Sequence, residues 1–354
     1  MTKVEYACFV NNTGFGHAAL GYISCLQTLS VPLRVRPLHP LNDTSWMSSE
    51  DLTAIQGGFV GEADTSIWHS IPPRWGGLRR GRQRNVVVCT FECGQPPSDW
   101  VRIVNRDGTH ALYPSAFCQR EFEAAGVTIP GVVVSHLVRE CFFECQPRGY
   151  SGGTMVLLAV GAWKTRKNWQ NLIQGVVSVL KSGLDVRLMI KTDKPAVASG
   201  EIRRLVPGDM KGRFLIVDGN LTDRSMAGLY ASCDAFICAS RGEGFCLPVA
   251  QAMAAGVPVI STRSGGIGDF FDESCGTVIE PSGLETVSID GYPQFSSKTW
   301  PIITADSIGR AVGQAFEKYP DLISGSARVA RSRASANFSR QVVCASMKKA
   351  VGMP

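Results

Sequence analysis

Several features that would assign this chain to a whole class of protein are missing from its sequence. No apolar run reaches the ~18–20 residues that a membrane-spanning helix needs, so no transmembrane segment is predicted. The first residues lack the basic start, apolar core and cleavage site of a signal peptide, and no repeat of solenoid period occurs. With 44% hydrophobic and 19% charged residues, the composition is that of a globular protein. We therefore expect a cytoplasmic protein, in the host cytoplasm if the source is a virus.

Patterns that bind metal ions are missing as well. The chain has 12 cysteines, but the closest pairs, Cys89/Cys93 and Cys141/Cys145, lack the spacing of a zinc ribbon. Others, such as Cys8, lie within apolar runs of strand length. This distribution favours reduced cysteines packed in the core of a cytosolic protein, and we expect no bound metal.

Short apolar runs typical of buried strands alternate with longer helical patterns, which indicates an α/β protein with parallel sheets. A stretch rich in proline and glycine at residues 145–153 interrupts this alternation and predicts a domain boundary. Before it, strands are predicted at residues 4–10, 85–91, 111–113 and 132–134. After it, strands are predicted at residues 155–160, 186–190, 214–217, 235–238 and 257–261. Residues 281–303 are predicted to be irregular, and residues 306–318 and 327–350 to be helical.

The most informative segment is 241–251, which joins a buried apolar run to a helical pattern through a turn containing glycine and proline. In an open α/β sheet, ligands bind at the carboxyl ends of the strands. Glu243 lies in this turn, so its carboxylate is placed where it can meet a ligand hydroxyl group.

Residues 243–260 resemble the donor-site motif of retaining glycosyltransferases, in particular family 4, which has the GT-B fold. The family pattern is Glu-Gly-Phe-Gly-Leu-Pro, followed by a second Glu at the eighth residue after the first. Here the first acid is Glu243 and the second position holds Gln251, while the run at 252–260 and the pair Gly265-Gly266 also look like the family. The resemblance implies two tandem doubly wound (Rossmann-like) domains with an interdomain cleft.

The resemblance also implies a division of labour along the chain. Residues 1–148 would bind the acceptor and residues 149–330 the nucleotide-sugar donor. Residues 331–354 would form a helix that crosses back to the first domain.

Two residues of the second half carry the catalytic role that the resemblance implies. Glu243 would bind hydroxyl groups of the transferred sugar, near the reacting carbon. Lys167, in a basic turn after the strand at 155–160, matches the family lysine that meets the donor diphosphate, where fixed cations stabilise the leaving group. The family often has an arginine at the position of Ala162, and Lys164 or Arg166 could replace it.

Gln251 is the clear departure from the family pattern. The usual glutamate accepts hydrogen bonds from two ribose hydroxyls, whereas glutamine offers one acceptor and one donor. Ribose binding is then weaker by ~1–2 kcal/mol, or one ribose hydroxyl acts as the acceptor. The remaining residues expected at the donor are Gly14, Gly16, Gly244, Phe245, Cys246, Leu247, Gly265 and Gly266.

Glu92 is the candidate catalytic residue of the first half, because it follows the strand predicted at 85–91. At a strand end it could bind the acceptor or assist its deprotonation, and a structural role in capping a helix or pairing an arginine is equally open. The sequence has no Asp-x-Asp of the kind that holds a divalent cation in the other major glycosyltransferase fold. We therefore predict transfer without a metal.

Five arginines fall between residues 74 and 84, in a glycine- and proline-containing loop without an acid. Arginine forks bind phosphates, and aromatic rings stack on bases or lie at a membrane interface. An anionic acceptor fits this loop, either a hydroxymethylated base in DNA or a phospholipid-linked acceptor; a solvated loop without a binding role is the alternative. The acceptor-binding residues predicted here are Arg74, Trp75, Arg79, Arg80, Arg82 and Arg84.

Three functions compete at this point. The first is a retaining glycosyltransferase that moves a hexose-type sugar from a nucleotide sugar, with a UDP-sugar favoured, to a DNA, lipid or saccharide acceptor. The second is another GT-B enzyme, such as a nucleotide-sugar epimerase or a phosphorylase. The third is a non-catalytic module that binds nucleotide sugars or nucleic acid. Gln251 is the only residue that favours this third function.

Overall fold

The computed structural model describes residues 2–75, 84–148, 152–289 and 292–353, and the chain divides into two compact units. The first consists of Met1–Glu140, Asn220–Asp223 and Ala336–Pro354, and the second of Cys141–Gly219 and Arg224–Ser335. The division falls after Glu140, ahead of the boundary predicted at residue 148. The functions assigned to the two parts remain predictions.

The first unit is built on a parallel sheet of six strands in the order β2-β1-β3-β4-β5-β6. Its elements, in chain order, are β1 (Val4–Cys8), α1 (Gly14–Thr28), β2 (Leu33–Pro37), α2 (Ser49–Gln56), β3 (Thr65–His69), β4 (Arg84–Val88), α3 (Ser98–Asp107), β5 (His110–Tyr113), α4 (Ala116–Ala124) and β6 (Gly131–Val133).

The second unit repeats the architecture, with a parallel sheet in the order β12-β11-β10-β7-β8-β9. After α5 (Glu140–Phe143), which spans the division, its elements are β7 (Met155–Val160), α6 (Trp169–Lys181), β8 (Val186–Lys191), α7 (Pro195–Leu205), β9 (Phe214–Val217), α8 (Asp223–Ala231), β10 (Ala235–Cys238), α9 (Leu247–Ala254), β11 (Val259–Ser261), β12 (Gly276–Val278), β13 (Gly283–Val287), β14 (Lys298–Ile302), α10 (Ala305–Glu317), α11 (Tyr319–Asp321) and α12 (Ala327–Phe338).

The central strands of each sheet, such as β3, β4 and β10, are buried on both faces, as expected for a parallel sheet covered by helices. In the second unit, β7, β8 and β10 pack against α6 and α10 in one apolar core. In the first unit, α1 packs on the strands together with the last helix, α13 (Arg340–Ala350). The α/β class with parallel sheets is therefore confirmed.

Three predictions about single elements need correction. The region predicted to be irregular contains the antiparallel hairpin β13–β14. The helix predicted at 327–350 is broken at Ser339, which is extended, because the carbonyl of Phe338 accepts a 3.0 Å bond from the Val138 amide. Strands β2 and β3 and helices α2 and α7 were not predicted.

No helix in the described ranges combines the length and apolar character that crossing a bilayer requires.

Candidate functional site

Glu243 lies in the turn between β10 and α9, at the carboxyl edge of the second sheet, and only 5% of the residue is exposed. Two unusual backbone positions shape this turn. Cys246 precedes α9 with φ +85°, and Gly265 has φ +65°. A Cβ at Gly265 would lie 2.2 Å from the Glu243 carbonyl oxygen, which also accepts a 2.7 Å bond from the Gly266 amide. The glycine pair therefore fixes the backbone of Glu243.

Three side chains converge on one oxygen of the Glu243 carboxylate. Lys167 Nζ lies 2.5 Å from Oε1 and Arg166 Nη1 2.7 Å from it. The Ser240 hydroxyl donates a 2.6 Å bond to the same oxygen. All three of these contacts use Oε1, and none of them occupies Oε2.

The surrounding charges keep Glu243 ionised. Burial on its own would raise the pKa of its carboxyl group, but the charges of Arg166 and Lys167, with the bonds from Lys167 and Ser240, lower it to about 2. For Lys167, burial is the largest influence and would lower the pKa, but the attraction of Glu243, together with the nearby Cys246 and Cys238, raises it overall. Two cations thus share one anion, which leaves a net positive charge at the strand end.

The depressed pKa predicts a specific dependence of stability on pH. Because the carboxyl group titrates near 2 in the folded protein and near 4.5 when unfolded, its ionised form stabilises the fold above pH 4.5, and this contribution is lost as the pH falls towards 2. At roughly 1.4 kcal/mol per pKa unit, the contribution is about 3 kcal/mol. Denaturant unfolding of the wild type and of Glu243→Gln, at pH 7 and at steps below pH 5, measures it.

We expect the difference in unfolding free energy between the two proteins to be constant from pH 6 to 8 and to shrink as the pH falls from about 4.5 to 2. A difference independent of pH over that whole range contradicts the assigned ion pairs.

The basic turn between β7 and α6 is held by the polar groups around it. Asn168, in the left-handed region with φ +60°, donates a 2.9 Å bond to the Ile303 carbonyl. The Arg241 amide donates a 2.8 Å bond to the Arg166 carbonyl. Of the two residues predicted to replace an arginine at Ala162, Arg166 contacts Glu243. Lys164 instead donates to the Tyr292 hydroxyl, at 2.8 Å.

Gln251 lies in α9, eight residues after Glu243, and is half-buried. The Tyr230 hydroxyl lies 3.1 Å from the Pro248 carbonyl and 3.3 Å from Gln251 Oε1. A phenol has one proton, so Tyr230 donates to one of these two oxygens at a time. The Tyr230 hydroxyl is thus a neutral neighbour of Gln251, which lies in the middle of α9.

The side chains of the motif residues that follow Gly244 face the interior. Phe245, Cys246 and Leu247 are buried, and the Phe245 ring packs 5.2 Å from that of Phe270. These side chains are turned into the core, so contacts with a ligand would be made by their main-chain groups and by Gly244.

In the first unit, packing explains Gly16 but not Gly14, at which a Cβ would meet no atom within 4 Å. Gly14 is the first residue of α1, and a Cβ at Gly16 would lie 1.9 Å from the Asn11 carbonyl oxygen. Glu92 follows the carboxyl end of β4 and is half-buried. Its predicted role at the acceptor, and the structural alternative, both stay open.

The arginine-rich loop is only partly described, since Arg79, Arg80 and Arg82 lie outside the described residues. Arg74 is exposed at the end of a 3-10 turn. Trp75 is buried, and its indole donates a 3.1 Å bond to the Ser70 carbonyl. Arg84 begins β4 at the amino end of the strand, and its guanidinium donates to the Ala350 carbonyl at 3.1 and 3.3 Å. Trp75 and Arg84 thus make structural contacts, and their predicted contact with an acceptor stays a prediction.

A buried histidine cluster at the carboxyl edge of the first sheet was missed by the sequence interpretation. His69 ends β3 and hydrogen bonds with the Tyr6 hydroxyl at 2.8 Å, and His136 with Tyr22 at 3.0 Å. Burial lowers the pKa of His69 to about 3, so its imidazole is neutral at physiological pH. The available signal was weak, because the strand that ends in His69 is Thr-Ser-Ile-Trp-His and has only two apolar residues.

In the described part of the chain, no group of three or more His, Cys, Asp or Glu side chains is placed to hold a metal ion. Transfer without a metal stays a prediction.

Two parallel sheets, each covered by helices and with candidate binding residues at the carboxyl ends of its strands, define the GT-B class of fold. Solved structures of glycosyltransferases have the same fold. The chain matches Anabaena HepE, solved in complex with UDP-glucose, with a TM-score of 0.71 and 13% identity over 99% of each chain. It also matches a glycosyltransferase from Rickettsia africae with a TM-score of 0.70 and 14% identity over 99% of each chain. At these identities the likeness shows the fold.

Part of the second unit matches a known sequence family. Residues 154–287, which include Lys167, Glu243 and Gln251, match the family model of glycosyl transferases group 1. A GDP-mannose-dependent alpha-mannosyltransferase of Mycolicibacterium smegmatis is 29% identical over 240 residues, which cover 59% of this chain and 58% of that protein. The chain spans less than two thirds of the length of the curated relatives it matches. The predicted resemblance to family 4-like glycosyltransferases with the GT-B fold is confirmed.

Proposed function

We propose that this chain is a glycosyltransferase that moves a hexose-type sugar from a nucleotide sugar to a hydroxyl group. The observation that supports it best is Glu243, whose Oε1 is held by Arg166, Lys167 and Ser240 at a strand end of the segment that matches the family. The arrangement joins an acceptor for sugar hydroxyls to a cationic site for a diphosphate.

Each group has a chemical task in this proposal. Glu243 stays ionised at neutral pH, so it accepts hydrogen bonds from the donor sugar through Oε2 and does not serve as a proton donor. Lys167 and Arg166 stabilise the negative charge that develops on the leaving diphosphate. With no second carboxylate in these contacts, the site favours positioning and electrostatic stabilisation over the paired acids of a glycosidase. Retention of configuration and transfer without a metal belong to the same proposal.

The donor we favour is a UDP-sugar. A neighbour of the same fold was solved with UDP-glucose, whereas the mannosyltransferase relative is named for GDP-mannose. A diphosphate is common to both donors, and the cationic turn at Arg166 and Lys167 would bind either.

The acceptor we favour is anionic, and a hydroxymethylated base in DNA is one candidate. Its support is the charge of the loop at residues 74–84, of which Arg74 is exposed. Arginines bind phosphates in DNA and in lipid-linked acceptors alike. A lipid or saccharide acceptor at a membrane therefore remains the alternative.

The deciding experiment screens the wild-type protein against UDP, GDP, ADP and TDP and against their sugar conjugates. A ligand that binds only the native state raises stability by RT ln(1 + [L]/Kd), which a thermal melt detects. Slow hydrolysis of the stabilising donor in water separates a transferase from a non-catalytic binding module. Binding without hydrolysis or transfer supports the module, and no binding to any donor overturns the proposed function.

Restoring the family acid at residue 251 should strengthen donor binding. In Gln251→Glu, a carboxylate offers two acceptor oxygens to the ribose, and charge-assisted hydrogen bonds are roughly twice as strong as neutral ones. We expect the Kd of the preferred nucleoside diphosphate to fall by about fivefold to tenfold, corresponding to ~1 kcal/mol.

Titration calorimetry with the nucleoside diphosphate and with its 2′,3′-dideoxy analogue measures this gain. The analogue lacks the ribose hydroxyls, so its affinity should not improve. Equal improvement for both ligands would place the effect elsewhere than at the ribose.

A further inference from the structure

The hairpin β13–β14 contacts both turns that shape the site of Glu243. These are the turn after β7, where Lys164 meets Tyr292 of the segment between the two strands, and the turn after β10, which carries Arg241. The hairpin follows β12 in the chain and forms a separate two-stranded sheet. Its contacts with the site are polar and aromatic, and they converge on Arg241.

Arg241 is held from two sides by a cross-strand pair of the hairpin. Glu285 of β13 and Trp300 of β14 lie directly opposite each other in the antiparallel register. Directly opposed residues share a face of the hairpin, so both can meet one partner. Arg241 Nη1 forms an ion pair with Glu285, and its guanidinium carbon lies 5.2 Å from the centre of the Trp300 ring.

The other side of Arg241 reaches the basic turn. Its amide donates a 2.8 Å bond to the Arg166 carbonyl, and its Nη2 donates a 3.4 Å bond to the Thr165 carbonyl. Arg166 and the neighbouring Lys167 are the two cations that hold Glu243. The chain of contacts thus runs from Glu285 through Arg241 to the backbone that carries both cations.

Burial makes this junction rigid. Trp300 is only 1% exposed, and the Arg241 side chain is 15% exposed against 39% for Glu285. A partly desolvated carboxylate–guanidinium pair is stronger and more directional than a solvated surface pair. A second contact lies beside it, where the Lys164 ammonium meets the hydroxyl and ring of Tyr292, from the segment that joins the two strands.

We infer that Glu285 is a positioning residue for the donor site, which acts through Arg241 on the placement of Arg166 and Lys167. The inference rests on the proposed function, because it assigns the placed cations to a nucleoside diphosphate. Without the carboxylate of residue 285, Arg241 loses its ion pair. The guanidinium is then no longer oriented by Glu285 for its bond to the Thr165 carbonyl. Reacting groups tolerate little displacement, and an error of about 1 Å can cost 10²-fold in rate.

The test compares Glu285→Gln, Arg241→Ala and the double variant with the wild type. Donor hydrolysis gives kcat and KM, calorimetry with UDP and GDP gives Kd, and thermal melts report folding. The matched control is Glu201→Gln. Glu201 also pairs with an arginine on the surface of the second unit, at 2.6 Å from Arg204, but within α7.

We expect Glu285→Gln to lower kcat/KM for the donor by about tenfold while the melting temperature stays within the change seen for Glu201→Gln. Arg241→Ala should lower kcat/KM at least as much. The double variant should be no worse than Arg241→Ala, because coupled residues are not additive.

The outcomes separate the two proposals. A wild type that binds and turns over a donor, with Glu285→Gln equal to Glu201→Gln, overturns the positioning role alone. Additive effects in the double variant overturn it as well, because Glu285 would then act independently of Arg241. A wild type that neither binds nor hydrolyses any donor overturns the proposed function, and the positioning role with it.

Discussion

Glu243→Gln is expected to lower kcat/KM for sugar transfer by about 10²–10³-fold, the magnitude typical of removing one preorganised electrostatic group. The amide has the shape of the carboxylate but no charge, so the bonds to the sugar hydroxyls weaken. Arg166 and Lys167 are then left facing each other without their shared anion. Initial rates with the donor identified by the binding screen measure the loss.

Folding must be measured on the same samples, because Glu243 also stabilises the second unit. Removing one partner of a buried ion pair costs about 3–5 kcal/mol, and we expect Glu243→Ala to approach that loss. The glutamine variant keeps the hydrogen bond from Ser240 and should lose less. If Glu243→Gln were folded and active within twofold of the wild type, Glu243 would have no part in the reaction.

Lys167→Met is the second change with a large expected effect, again about 10²–10³-fold in kcat. Methionine keeps an unbranched side chain of similar length. It can therefore fill the space beside Gly161, where a Cβ would lie 3.3 Å from Lys167 Cε. The lost charge is the one that would stabilise the leaving diphosphate. Single-turnover rates with saturating donor measure the chemical step apart from binding.

Comparing a nucleoside diphosphate with its nucleoside tests whether Lys167 contacts the phosphates. Lys167→Met should weaken binding of a nucleoside diphosphate but leave binding of the corresponding nucleoside unchanged, since the nucleoside has no phosphate. Lys181→Met, an exposed lysine at the end of α6, is the matched control. Equal weakening of nucleoside and nucleoside diphosphate would mean that Lys167 supports the fold of the site and does not meet the phosphates.

The sequence predicted the parts of the site whose signals are local. The strand at 235–238, the turn with Glu243 and the helix after it form one continuous stretch, and the structure has them in that order. Lys167 was placed by its position in a second local motif. Its direct contact with Glu243, across 76 residues, was not predicted, although both residues follow strands whose ends meet at one edge of the sheet.

Contacts between distant segments without such a rule could not be predicted. Glu285 lies 44 residues beyond Arg241, and no periodicity links them. The hairpin itself was hidden because the three prolines and two glycines in residues 281–303 are typical of loops. The choice between Arg166 and Lys164 as the second cation depended on the 3-10 turn at Thr165–Lys167, which turns neighbouring basic side chains in different directions.

The close approach of Gly265 to Glu243 has a consequence for how the protein tolerates mutation. Any side chain at residue 265 would need the space of the Glu243 carbonyl and a left-handed backbone that L-residues rarely adopt. In a saturation scan, this position should therefore be depleted even under selection for abundance alone, with no donor or acceptor present. A scan scored only for activity would identify Gly265 together with Lys167, as if both contacted the ligand. Measuring abundance in parallel would separate the two residues, because Gly265 is needed for the shape of the turn and Lys167 for its charge.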